Sequence, residues 1–194
     1  MAFRKEGGWR EPNEGNFDHP SGVRPPVWRR FQVPEGLTLF ELHEVIEEVI
    51  GWYGGHLHQF IRDEKRYGIP EDFDDAWVPT IDEATVTLRD LKPSPKAKLE
   101  YDDDFGDGWD HVLTVEKIFV PQGKSLPVCL KGARSCPRED CGAPWRYQEL
   151  LKILKDTQHE EYEQWKTWFP ENFDPQEFDL EGINEALSEK RWTL

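Results

Sequence analysis

Residues 97–120 read AKLEYDDDFGDGWDHVLTVEKIFV, and they are best explained as two strands folding back on each other. The turn falls at Phe105-Gly106-Asp107-Gly108, because an Asp-Gly pair tolerates the positive φ angles that tight hairpins need. Val112, Leu113, Val115, Ile118, Phe119 and Val120 mark the second arm as largely buried. Asp104 and Asp107 shape the turn by accepting backbone amides, the usual work of aspartate in such a place. Asp102 and Asp103 are neighbours on a strand, so they point to opposite faces.

The segment before the hairpin is equally readable. Residues 27–33, VWRRFQV, alternate apolar and polar like a half-buried strand. Thr38 and Glu41 then form a capping box, and Leu39, Leu42, Val45, Ile46, Val49 and Ile50 follow on one helical face. Gly51 stands where a left-handed cap ends such a helix. Glu44, Glu47 and Glu48 fall on the opposite, solvent face, and His43 at its border. Residues 56–62, HLHQFIR, predict a strand with His56, His58 and Phe60 on one side. Residues 63–83 read as a long loop, and 84–91 as a short strand and turn. Residues 121–144 read as a cysteine-containing loop, and helices follow over 145–155, 160–169 and 180–191. This order predicts an α+β fold: a mostly antiparallel sheet with one helix packed across it and helices gathered at the C-terminal end.

The chain of 194 residues carries 24 basic and 39 acidic side chains, a net charge of −15. Such a charge repels phosphate backbones and anionic lipid, which works against general nucleic-acid binding. Residues 1–24 read as an extended, polar arm, 25–155 as the folded domain, and 156–194 as an acidic helical segment. That last segment holds eleven acidic against three basic residues. No apolar run is long enough to span a membrane, and residues 1–15 lack a secretory signal. Three cysteines imply no disulfide framework, so a reducing cytoplasm is the expected compartment.

Three groups of residues carry candidate chemistry. Cys129, Cys136 and Cys141 lie in a turn-rich loop and suit zinc with His111 as fourth ligand, His56, His58 and Asp140 being alternatives. The same spacing fits thiols packed as small hydrophobes, or a redox pair. His56, His58, Asp104 and Asp107 could instead build a hydrolytic metal centre around a second, exposed ion. Trp28-Arg29-Arg30 offers a grip on phosphate, or cations that pair with local carboxylates.

Four ordered motifs carry a family resemblance: PPVWRRFQVPEGLTLFELHEVI, GWYGGHLHQF, YDDDFGDGWDHVLTVEKI and PVCLKGARSCPREDCGAPWRY. Together they resemble the plasmid pRiA4b ORF-3-like family over about residues 25–155, a family also known as a passenger protein of insertion elements. The resemblance implies a fold and an association with mobile elements, without a reaction. Family members open with an extra strand, and residues 1–24 look too polar and glycine-rich to supply it. The expected function is a binding or adaptor module for a protein or small-molecule ligand, with a zinc-stabilised cysteine loop. Its recognition surface would be a sheet face bearing His56, His58, Trp109 and His111. The alternative is a metal-dependent hydrolase or nuclease using the His/Asp cluster.

Overall fold

The computed structural model describes residues 1–7, 23–73, 79–120, 126–171 and 173–192, residues 2–7 in their backbone alone. Its centre is an eight-stranded sheet. The strands are β1 (Ala2–Gly7), β2 (Trp28–Gln32), β3 (His58–Arg62), β4 (Lys65–Gly68), β5 (Thr80–Asp82), β6 (Lys98–Asp103), β7 (Trp109–Lys117) and β8 (Val128–Ala133). They lie in the order β5-β4-β3-β6-β7-β1-β2-β8. Every neighbouring pair is antiparallel except β4 with β5. The helices are α1 (Leu39–Ile50), α2 (Pro144–Ile153), α3 (Tyr162–Trp168) and α4 (Leu180–Glu189). The α+β architecture expected from the element order is the one observed.

The hairpin forms, but its positive φ angles fall at Asp104 and Gly108, not at both residues of the Asp107-Gly108 pair. Asp104 adopts a left-handed φ of 51°, and its carboxylate accepts the amides of Gly106 and Asp107 at 3.0 and 3.2 Å. The register pairs Tyr101 with His111 and Asp103 with Trp109. On the other side of β6, His58 pairs with Asp103 and Phe60 with Tyr101. Strand alternation therefore collects His58, Phe60, Tyr101, Asp103, Trp109, His111 and Leu113 on one face. All seven are buried.

α1 packs over that face. Glu41 N–H donates to Thr38 Oγ1 at 3.1 Å, Glu41 Oε2 accepts from Thr38 N–H at 2.9 Å, and Gly51 closes the helix at φ 85°. Leu39, Leu42, Val45, Ile46, Val49 and Ile50 are buried as the periodicity predicts. Glu47 departs from that pattern. It lies at the border of the stripe, 6% exposed, and meets the sheet instead of solvent.

Several strands have no clear sequence signal. β4 and β5 lie in the stretch read as loop, and β8 in the stretch read as a cysteine loop. The His56–Arg62 strand begins two residues later than its alternation suggests, leaving His56 outside the sheet. β1 matters most. Residues 2–7 are not part of a loose arm: they fill the interior position between β7 and β2, and Val33 N–H donates to Met1 O at 3.0 Å. The suggested packing roles of Trp9 and Phe17 fall outside the described residues, as does the side chain of Phe3. At the C-terminal end α4 packs on β8 and α1, with Asn184 Oδ1 accepting from Cys129 N–H at 2.8 Å.

Deleting residues 2–7 leaves two interior strand edges without their backbone partner, a condition that favours misfolding and edge-to-edge association. The truncated chain is expected to lose cooperative thermal unfolding and to elute as aggregate in size-exclusion chromatography. A monomer with an unchanged melting curve would show β1 to be dispensable.

Candidate functional site

Two polar clusters stand out, and each contains three potential metal-ligating groups with donor atoms within 4.8 Å of one another. The first, His43, His58 and Asp103, is buried between α1 and the sheet. The Tyr101 hydroxyl is its hub. It lies 2.8 Å from His43 Nδ1, 3.1 Å from Asp103 Oδ1 and 3.3 Å from Glu47 Oε1. Burial, with the charges of Asp103 and Glu47, drives the Tyr101 pKa well above the usual phenol value. His58 Nε2 sits 2.9 and 3.1 Å from the two carboxylate oxygens of Glu83, a residue 1% exposed. Burial opposes protonation of His58, but the Glu83 hydrogen bond and charge, helped by Asp103 and Glu47, raise its pKa overall.

His43 takes the opposite state. Burial, the neighbouring His58 charge and Lys190 push its pKa down to about 3. The two rings stack in parallel, centroids 3.5 Å apart and planes 4° from each other. Imidazolium stacked on neutral imidazole, with a carboxylate on the former, is a satisfied buried ion pair. The same stacking counts against a shared metal ion, since parallel rings cannot both aim an in-plane lone pair at one point. His43 and Glu47 also reach the wall of a cleft of about 490 Å³ beside α1.

The second cluster is at the surface. His56 precedes β3, Asp104 starts the hairpin turn, and Asp140 follows β8. His56 Nδ1 is 3.7 Å from Asp104 Oδ2, and His56 Nε2 is 3.6 Å from Asp140 Oδ1. Asp104 N–H donates to Leu57 O at 3.0 Å, which fastens the turn beside the histidine. Asp107 adjoins the group: burial and the Asp104 charge raise its carboxyl pKa, and the Gly142 amide partly opposes them. Three segments far apart in sequence thus deliver one imidazole and three carboxylates to a single patch.

Of the group His56, His58, Asp104 and Asp107 that the sequence offers as a metal centre, His56, Asp104 and Asp107 reach one patch. The fold sends His58 elsewhere, to Glu83. The cysteine cage is not assembled: neither close-packed donor group among the described residues includes Cys129, Cys136, Cys141 or His111. Cys129 Sγ lies 3.7 Å from Arg30 O, Cys136 Sγ accepts from Arg29 Nη2 at 3.2 Å, and Cys141 Sγ lies 3.9 Å from Gly142 O. Burial raises the Cys129 thiol, and burial with the Asp107 charge pushes Cys141 up to about 12. His111 stacks on Tyr101 at 5.7 Å under α1. The expected recognition surface is likewise corrected, because His58, Trp109 and His111 are all interior.

The arginines of the Trp-Arg-Arg motif serve the fold. Arg29, 3% exposed, donates to Val49 O at 2.8 Å and to Ala133 O at 3.1 Å, and so ties the end of α1 to β8. Arg30 pairs with Glu116 at 2.9 Å. Sequence reading missed Glu83, Tyr101 and Glu47 as members of the buried network. Only the placement of Glu47 next to the apolar helical stripe hinted at its role.

A family model described as plasmid pRiA4b ORF-3-like protein matches residues 21–182. That span runs beyond residue 155, into α3 and α4, further than the four motifs alone mark out. The chain is 34% identical over 176 residues to the uncharacterized protein y4hQ of Sinorhizobium fredii (strain NBRC 101917 / NGR234), covering 89% of this chain and 88% of the relative. It also resembles the crystal structure of MM3350, a protein of unknown function from Methanosarcina mazei Go1. That match has a TM-score of 0.74 and 33% identity, covering 92% of this chain and 94% of the other.

The neutral state of buried His43 has a measurable consequence. Its folded pKa of about 3 lies below the unfolded value of 6.5, so its contribution to stability is complete above pH 6.5 and is lost as pH falls toward 3. In that window the wild type should lose stability more steeply than His43→Gln, by about 1.4 kcal/mol per pH unit for one proton. Urea denaturation at stepped pH measures the difference. Equal slopes would mean that His43 titrates normally in the folded chain.

Proposed function

The chain belongs to the plasmid pRiA4b ORF-3-like family, and we propose that it is a metal-dependent protein whose centre is a divalent cation held by His56, Asp104 and Asp140, with Asp107 alongside. One observation carries this reading: ligand atoms from three separated segments lie within 4.8 Å of one another at the surface. One imidazole with carboxylates suits zinc or manganese, as imidazole favours the former and carboxylate the latter. His56, Asp104 and Asp140 would hold such an ion with only three protein groups and at a partly exposed position, as suits a catalytic rather than a closed structural site. Bound by these residues, a divalent cation would supply acidification of water, which makes it a nucleophile for hydrolysis. These features favour a metal-dependent hydrolase over an adaptor with a zinc-stabilised cysteine loop.

Charge narrows the substrate. The net −15 of the chain and the neighbouring Glu139 work against a polyanion. A neutral ester or amide meets no such barrier, so the bond hydrolysed is a neutral ester or amide and not a nucleic-acid phosphodiester.

Metal content and calorimetric titration with zinc and manganese chloride test the site. Asp104→Asn keeps a residue tolerant of the left-handed backbone and should weaken binding roughly tenfold or more, a loss of about 1.4 kcal/mol per decade. His56→Gln should do the same, while Cys136→Ser should bind like wild type. Metal lost from Cys136→Ser and kept by Asp104→Asn would reinstate the cysteine cage. Cleavage of p-nitrophenyl acetate should fall in the same two variants. Binding without cleavage would reduce the centre to a structural or recognition ion.

A further inference from the structure

We propose that the cleft beside α1 is a binding site for a primary alkylammonium group, occupied here by the chain's own Lys190. The site is separate from the ion centre and does not depend on it. Glu44 and Glu48 stand one helical turn apart on the outer side of α1, where two like charges repel each other. Lys190 Nζ reaches across from the end of α4 to lie 2.7 Å from Glu48 Oε1 and 3.7 Å from Glu44 Oε1.

A lysine between two glutamates is by itself ordinary surface chemistry. Concavity and aromatic walls distinguish this one. The cleft measures about 490 Å³, within the size range of small-ligand sites. Phe40, 40% exposed, and Tyr53, 91% exposed, both line it, an unusual exposure for two large rings at one opening. Ring faces beside carboxylates attract an organic cation by charge and by cation–π contact, and bind its alkyl part apolarly. The Trp192 ring, 6.0 Å from Lys190 Nζ, already makes that kind of contact with the internal ammonium.

The floor and far wall are built, not incidental. His43, neutral against the Tyr101 hydroxyl, adds no opposing charge, and the buried carboxylate of Glu47 adds a favourable one. The Tyr53-Gly54 turn is pinned by its two amides donating to Glu139 at 2.8 and 3.1 Å. A ligand ammonium would take the position of Lys190 Nζ between Glu44 and Glu48, its chain lying against Phe40 and Tyr53. No bond is made or broken; the exchange is one ammonium for another.

Calorimetric titration of the full chain with n-butylammonium chloride in about 0.15 M salt, where free surface pairs are screened, tests this. Lys190→Ala should bind at least tenfold more tightly than wild type. Lys190→Met, which keeps an apolar stem against Trp192, should show the same gain, and adding Glu48→Gln should abolish it. Magnesium chloride should not compete. Equal binding by wild type and both Lys190 variants would overturn the proposal, as would no binding by any of them. So would an unchanged affinity in the Glu48→Gln background, or displacement by magnesium, which would mark bare charge without amine selectivity. Circular dichroism melts confirm that each variant is folded.

Discussion

The structure depends on what the Tyr101 hydroxyl can find when α1 closes over the sheet. An unbonded hydroxyl in that interior would cost several kcal/mol. Here it meets His43 and Glu47 from the helix and Asp103 from its own strand. Two elements, α1 and β6, are thereby fixed in rotation as well as in contact, which apolar packing alone does not do. The register of β3, β6 and β7 is part of the same constraint. A slip of one residue would turn Tyr101, Asp103, His58 and His111 to the other face and break the network at several points. The apolar stripe of α1 supplies the driving force, and the polar network selects the arrangement.

Legibility in the sequence follows from whether a signal is local. The 97–120 hairpin was readable because its turn demands particular residues, and α1 because its cap and stripe are written within thirteen positions. β1 was not readable. AFRKEG is polar and lies beside a glycine-rich stretch, and its place is set by backbone pairing with β2 and β7, strands more than twenty residues distant. β8 is a short run with Gly132 between Lys131 and Ala133, and it forms because β2 offers an edge. Strand propensity is largely a property of such context.

The same distinction explains the candidate sites. His56 and Asp104 were grouped because each belongs to a conspicuous local cluster, and both reach one patch. His58 was grouped with His56 by alternation, yet the strand begins at His58, so the period of two did not extend back to residue 56. The cysteines are conspicuous by rarity, a property of composition that carries no direction in space. Glu83 lies in a stretch without any periodic signal. Only the fold reveals that a short 3-10 turn, Glu83–Thr85, carries this carboxylate to His58.

The cysteine segment acquires a different meaning from these contacts. Trp52 Nε1 donates to Pro137 O at 2.8 Å, Glu139 binds the Tyr53 and Gly54 amides, and Asp140 faces His56. Three residues of the segment 137–140 therefore act together: Pro137 and Glu139 hold the turn that follows α1, and Asp140 contributes to the ion patch. Asp140 manages this in a left-handed backbone conformation, φ 58°, which is uncommon outside glycine and asparagine-like residues. Cys136 and Cys141 bracket the segment, one bonded to Arg29 and the other buried. The thiols thus act as anchors at either end of a loop whose chemistry lies between them.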